Sequence, residues 1–270
     1  MIEKINEAVD YIKSLYTLQP SVGIVLGSGL GNFTDDIKIE LSIPYGNIPH
    51  FPVSTVWGHK GELIFGEISG KKVVAMAGRF HLYEGYTAQQ TVFPIRVMKY
   101  LGIKTLLLSN AAGAVNPAFE VGDLMIINDH ISQLTPNPLI GKNFDQLGPR
   151  FPDMSEPYNK KLIQKMKDIA TQKNILVKEG VYVAVTGPTF ETHAEYNMIH
   201  ILGGDVVGMS TVPEVITAVH MGLPVFAMSV ITDIAVRENE NKVSHEEVLQ
   251  AAKAAEPKFA ALFTALIEQL

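Results

Sequence analysis

Apolar residues recur at Ile2, Ile5, Val9, Ile12 and Tyr16, a three-and-four spacing that predicts an amphipathic helix closed by Pro20. The next apolar block is of another kind. Val22 to Leu26 runs without a polar break and predicts a short buried strand. Leu63 to Ile68 and Lys72 to Ala77 predict two strands joined at Ser69-Gly70. Thr87 to Leu101 predicts a helix, with Pro94 at a kink or in an early turn. Lys104 to Ser109 and Asp123 to Asn128 predict further buried strands, and Asn159 to Lys173 an amphipathic helix. The β-branched run Val181 to Val185 predicts a strand, broken by Gly187-Pro188. His193 to Leu202 fits a helix closed by Gly203-Gly204, and Val206 to Met209 a short strand. Thr211 and Glu214 form a capping-box pattern with Pro213 in the first turn, so a helix opens near Ser210 or Thr211 and ends at Gly222. Val225 to Ile231 predicts one more strand. Ser244 with Glu247 makes a second capping box, opening a terminal helix with Val248, Ala252, Ala255, Phe259, Phe263 and Leu266 on one face.

Three stretches carry no such period. Residues 41–60 read as irregular, with Pro44, Pro49 and Pro52, and Gly58-His59-Lys60-Gly61 as a hairpin or loop tip. Residues 132–158 hold five prolines and read as a long loop, whose length points to a function or an interface. The polar segment 237–242 reads as mobile. Strands alternating with helices predict an α/β domain with parallel strands and right-handed crossovers, in which ligands bind beyond the carboxyl ends of the strands. Glu191, Met209, Ser210 and Asp233 all fall at such ends, so two carboxylates, a thioether and a helix-start hydroxyl share one rim.

Composition narrows this picture. The 270 residues suffice for one large domain, 1–270, without a linker. The chain has no cysteine, which excludes disulfides and thiolate metal sites. Its amino terminus lacks a signal-peptide pattern, and no apolar run approaches the roughly 20 residues of a membrane span. We therefore expect a cytoplasmic protein. The net charge of −6 argues against a general nucleic-acid surface and obliges any anionic ligand to find local cations and helix termini.

Such local groups exist. Gly27-Ser28-Gly29-Leu30-Gly31 follows the first strand, so backbone N–H groups can approach an anion there and Ser28 adds a hydroxyl. The loop is neither the dinucleotide fingerprint, because Asn32 replaces the third glycine, nor a P-loop. A tight turn is its simpler reading. Arg79 and His81 alternate at a strand end and would face one side, a pairing suited to phosphate or carboxylate. The simpler alternative is that Arg79 pairs with Glu84 and His81 is a half-buried hydrogen-bonder. Asn110-Ala111-Ala112-Gly113 is small and tight at another strand end, which suits either a ligand against the backbone or close packing. His245 sits in the first turn of the terminal helix, where a charged imidazole is unfavourable.

Taken together, Gly27 to Gly31, Gly78-Arg79-Phe80-His81-Leu82-Tyr83-Glu84-Gly85-Tyr86, Asn110 to Gly113, Gly187-Pro188-Thr189-Phe190-Glu191-Thr192 and Val207 to Glu214 resemble the trimeric class of purine nucleoside phosphorylases, in order and spacing over essentially the whole chain. The resemblance implies a single α/β domain with a mixed, partly barrel-like central sheet flanked by helices. It implies a homotrimer whose sites lie near subunit boundaries, with Phe151 supplied by the neighbouring subunit. It implies reversible phosphorolysis of purine (2′-deoxy)ribonucleosides to free base and α-D-pentose 1-phosphate, with phosphate as co-substrate and no metal or organic cofactor. By the same carry-over, Ser28, His59, Arg79, His81, Ala111 through its backbone, and Ser210 hold phosphate. Tyr83, Met209 and His245 contact the sugar. Phe190, Val207 and Gly208 line the base, Glu191 accepts from purine N1–H, and Asp233 addresses N7 and the 6-substituent. Catalysis then rests on Glu191, Asp233 and His81.

Asp233 departs from the pattern, since the 6-oxopurine-specific members of that family carry asparagine there. An ionised aspartate only accepts hydrogen bonds, whereas O6 and N7 of inosine or guanosine are both acceptors. Either Asp233 holds a proton and donates it to N7, or it accepts from a 6-amino group and admits adenosine. Three other readings stand beside the phosphorylase. A 5′-methylthioadenosine phosphorylase is favoured by Asp233 and disfavoured by Glu191 and His245. A nucleoside hydrolase would leave Ser28, Arg79 and His81 without a role. A non-catalytic nucleoside-binding protein would not need the complete set.

Overall fold

The first predicted helix, α1 (Ile2–Leu15), buries Ile5, Ala8, Val9 and Ile12 as its spacing requires. The structure is a computed structural model describing residues 1–55, 60–235 and 244–270. His59 and the polar segment 237–242 lie outside the described residues. After α1 come β1 (Val22–Val25), β2 (Lys38–Pro44), β3 (Glu62–Ile68) and β4 (Lys71–Ala77). β3 and β4 form the expected antiparallel hairpin. β2 is a correction: residues 41–44 of the stretch read as irregular are strand, paired antiparallel with β3 through Pro44↔Glu62. Its side chains are mostly exposed, so the hydrophobic alternation that marks a half-buried strand is weak there.

Two short helices, α2 (Ala88–Thr91) and α3 (Phe93–Leu101), replace the single one expected, because Pro94 lacks an N–H and belongs in a first turn. β5 (Thr105–Ala114) and β6 (Leu124–Ile131) follow, and then α4 (Lys160–Gln172), capped by the Asn159 side chain. β7 (Lys178–Ala184), α5 (His193–Ile201), β8 (Val206–Gly208), α6 (Val212–His220), β9 (Val225–Ile234) and α7 (His245–Glu268) complete the order. α7 opens on the predicted Ser244–Glu247 capping box and buries all six residues of its predicted face.

The sheet runs β2-β3-β4-β1-β5-β8-β7-β6-β9, and β9 returns to pair with β5. Five strands thus close into a ring while the other four extend as an open wing. The expectation of parallel strands holds in part. β1 is parallel to β4 and β5, β7 to β6 and β8, and β9 to β5. β8 runs antiparallel to β5, however, and β9 antiparallel to β6. β8 and β9 are consecutive in sequence but not neighbours. The three-residue β8 fills the gap between β5 and β7, and ring closure puts β9 between β5 and β6.

Both long strands run further than their apolar cores suggested. β5 continues through Asn110-Ala111-Ala112-Gly113, which is therefore strand, and β9 continues through Asp233. Their pairing slips by one residue where Ala112↔Ile231 gives way to Gly113↔Asp233. The extra residue is Thr232, and such a bulge re-aims the side chain that follows it.

Candidate active site

A cavity of about 430 Å³ opens at this end of the ring. It gathers Ser28 from the loop after β1, Arg79, His81 and Tyr83 from the segment after β4, and Ala111 from β5. Phe190 and Glu191 come from the segment after β7, and Val207, Gly208, Met209 and Ser210 from β8 and beyond. Asp233 comes from β9 and His245 from the first turn of α7. Every predicted site residue that is described lines it except Phe151, which is 86% exposed on the long loop. Arg150 lies over the Phe151 ring at 5.6 Å.

One end carries the basic side chains Arg79 and His81. Arg79 is buried, and its fork is held on two sides. Nε and Nη2 donate to Glu214 Oε1 and Oε2 at 3.1 and 2.9 Å. Nη1 donates to the Ser109 carbonyl at 2.5 Å and reaches the Ser210 hydroxyl at 3.4 Å. The pairing of Arg79 with Glu84 is thus corrected: a parallel two-bond pair with Glu214 fits the planar guanidinium. Glu84 instead holds His81, accepting at Oε1 from its backbone N–H (2.8 Å) and lying 3.1 Å from Nδ1. The Thr55 N–H and hydroxyl donate to Glu84 Oε2, both at 2.8 Å. Burial resists the ionised form of Glu84, yet the donors from His81 and Thr55 hold its carboxyl down at about 2. Burial depresses the His81 imidazole below its ordinary value and outweighs Glu84. The imidazole stacks on Tyr83 with ring centres 4.6 Å apart.

Between strand β8 and helix α6 the chain passes through Thr211 at φ +67°, a conformation that costs a β-branched residue energy. The expected capping box at Thr211 and Glu214 does not form. Glu214 is committed to Arg79, and the Thr211 hydroxyl accepts from Asn110 Nδ2 at 2.9 Å. The turn leaves Ser210 at the head of α6, where a helix start favours anions.

The opposite end is acidic. Asp233 is buried, and its Oδ1 accepts from the Thr232 hydroxyl at 3.1 Å. Gly113 makes room for it: a Cβ at that position would sit 2.7 Å from Asp233 Oδ2. Burial raises the Glu191 carboxyl above its ordinary value, and the Asp233 carboxylate adds to the rise. Sequence reasoning missed Thr55, Glu84, Asn110 and Thr232 on the cavity wall, and Glu214 as the partner of Arg79. Asn110 and Glu84 lie within motifs that the reading had singled out. Thr55 carries no signal of its own. Among the described residues no group of three or more His, Asp or Glu could hold a metal ion, and no helix is long and apolar enough to cross a membrane.

Comparison with known proteins fits this geometry. The profile of the Phosphorylase superfamily matches residues 21–268. Purine nucleoside phosphorylase 1 of Geobacillus stearothermophilus is 49% identical over 98% of this chain and 97% of its own. The crystal structure of Schistosoma mansoni purine nucleoside phosphorylase in complex with adenosine superposes with a TM-score of 0.95 at 43% identity, covering 100% of this chain and 98% of that one. Isoform 2 from the same organism, in complex with cytosine and ribose-1-phosphate, gives 0.95 at 45% identity, over 99% and 96%.

Proposed function

The chain belongs to the purine nucleoside phosphorylases of the phosphorylase superfamily, and from that premise we propose that its cavity holds phosphate at the end of Arg79 and His81 and the purine at the end of Glu191 and Asp233. The enzyme transfers the pentosyl group of a purine nucleoside to phosphate. The observation that carries the assignment is one cavity joining Ser28, Arg79, His81 and Ser210 to Glu191 and Asp233. Ser28, Arg79, His81, the Ala111 backbone and Ser210 hold phosphate, and His59 joins them. Tyr83, Met209 and His245 contact the sugar, and Phe190, Val207 and Gly208 the base.

Phosphate oxygen bonds to C1′ as the C1′–N9 bond breaks, and that electron pair passes into the purine. The transition state is oxocarbenium-like, so the enzyme's contribution is placed charge. Phosphate lies against the cationic sugar, and a hydrogen bond or proton from Asp233 to N7 stabilises the departing base. Glu191 accepts from N1–H. The reaction needs phosphate as co-substrate and neither metal nor organic cofactor. The active form is a homotrimer in which a neighbour's Phe151 closes the sugar side, which the ring's 86% exposure on a single chain supports. A cytoplasmic location accords with a chain free of cysteine.

The test is base release from inosine, guanosine and adenosine, with and without phosphate, by wild type and Asp233→Asn. Phosphate-dependent release from inosine and guanosine is expected, with adenosine turnover that falls in the variant. Release without phosphate would overturn the phosphate assignment. The trimer is checked by light scattering, which should return three chain masses, with Phe151→Ala raising the nucleoside KM of an intact trimer. Gly113→Ala should push the Asp233 carboxylate aside, and a displacement on the order of 1 Å near the chemistry costs up to about 10²-fold in kcat/KM.

A further inference from the structure

Ser28 sits in a run of tight turns that is fastened at both ends. At its start the Gly27 N–H donates to the Ser109 hydroxyl at 3.2 Å. The Leu30 N–H then closes on the Gly27 carbonyl, and the Phe33 N–H on that of Leu30, at 3.2 and 3.3 Å. At its far end the fastening is a carboxylate of α7. Glu256 is 7% exposed, and its Oε1 accepts from the Phe33 N–H at 3.1 Å and its Oε2 from Asn32 Nδ2 at 2.8 Å. The same helix presses on the turn between: at Gly29, φ +75°, a Cβ would sit 2.5 Å from the Ala252 Cβ. The Phe33 ring is buried against Phe259 and Phe263, with centres 5.8 and 6.0 Å apart. Ala252, Glu256, Phe259 and Phe263 recur at three- and four-residue spacing, so one face of α7 makes all these contacts. A carboxylate is expensive to bury unless its oxygens are hydrogen-bonded. Among the described residues, both donors to Glu256 come from the segment just after Ser28.

We propose that Glu256 is a positioning residue for phosphate, fixing the loop so that Ser28 meets the anion. The proposal rests on the phosphate-site reading above. Glu256 is not among the residues that line the cavity, whereas Ser28 is. His245 and Val248 of the same helix do line it, and Glu256 lies about three turns beyond His245, roughly 16 Å at 1.5 Å per residue. Its action therefore passes through the loop. Gly27, Gly29 and Gly31 give that loop wide backbone freedom, and an unfastened loop would lose the freedom each time phosphate binds. Glu256 takes that loss during folding instead, and leaves the loop ready for the anion.

The test is steady-state kinetics with inosine and phosphate on five proteins: wild type, Glu256→Ala, Glu256→Gln, Ser28→Ala, and Ser28→Ala with Glu256→Ala. Circular dichroism confirms that each is folded, and melting is followed with and without phosphate. Glu256→Ala should raise the phosphate KM about tenfold, the worth of one hydrogen bond to an anion, with the inosine KM close to wild type. The rise in melting temperature that phosphate gives should shrink with it. Glu256→Gln should fall between, because its carbonyl still accepts from one of the two donors. It carries the same comparison should the alanine variant not fold. In the Ser28→Ala background, Glu256→Ala should add less than it does alone. A lower melting temperature with an unchanged phosphate KM, or equal rises in both KM values, would reduce Glu256 to a fold contact and overturn the proposal. Full additivity with Ser28→Ala would overturn action through the loop. If Ser28→Ala itself leaves the phosphate KM unmoved, Ser28 does not hold the anion, and the phosphate-site assignment fails first.

Discussion

Glu214→Ala should destabilise the protein by about 3–5 kcal/mol, the typical cost of removing one partner from a buried ion pair. Arg79 and Glu214 are both almost fully enclosed, with side chains 1% and 6% exposed, so water cannot replace the lost carboxylate. The guanidinium would keep its bond to the Ser109 carbonyl and lose the two that fix its plane. Phosphate affinity should fall with stability, because the fork that reaches Ser210 would no longer be held. Urea unfolding in phosphate-free buffer reads the first effect, and the phosphate KM reads the second. A control separates charge from packing. Arg79→Met with Glu214→Leu removes both charges, and should recover most of the stability lost in Glu214→Ala while leaving activity low. If the single variant melts within about 1 kcal/mol of wild type, the pair is not the buried anchor its geometry indicates.

Glu191→Ala should lower kcat/KM for inosine by about 10²- to 10³-fold, some 3–4 kcal/mol of transition-state stabilisation. The carboxylate is the acceptor at N1, and the side chain left behind offers none. Glu191→Gln should recover part of the loss, because its carbonyl still accepts from N1–H, and its amide can also donate to the bare N1 of adenosine. The loss should therefore be smaller for adenosine than for inosine in the glutamine variant. A uniform small effect on both substrates would remove Glu191 from the base site. Stability should change little, since Glu191 is only partly buried on a segment outside the strands.

How far the sequence carries can be judged from particular positions. The hairpin β3–β4, the six-residue face of α7 and its capping box were all legible, because period and cap chemistry are local properties. The rim of Glu191, Met209, Ser210 and Asp233 was legible too, because strand ends bring such residues together. The partner of Arg79 was not. Glu214 follows it by 135 positions and fits a local role three residues after Thr211, so the nearer explanation was preferred. That local role failed because of the positive φ at Thr211, which no propensity for a threonine would predict. The bulge at Thr232 was likewise hidden, since register is a property of two strands and the apolar run of β9 looks unbroken to Ile231. β2 was missed for the opposite reason: its exposed face carries polar residues, and an edge strand leaves little hydrophobic trace.

Closing β5, β8, β7, β6 and β9 on themselves leaves the described sheet with its free backbone edge at β2. An open edge can recruit strands from other molecules, and that is a route to aggregation. β2 carries Lys38 and Glu40, ends on Pro44, and loses register between Ile39 and Leu41. Charge, a missing donor and an irregular ladder each make a poor template for an incoming strand. The wing that supports the cavity thereby also carries, at its outer strand, its own guard against edge-to-edge pairing.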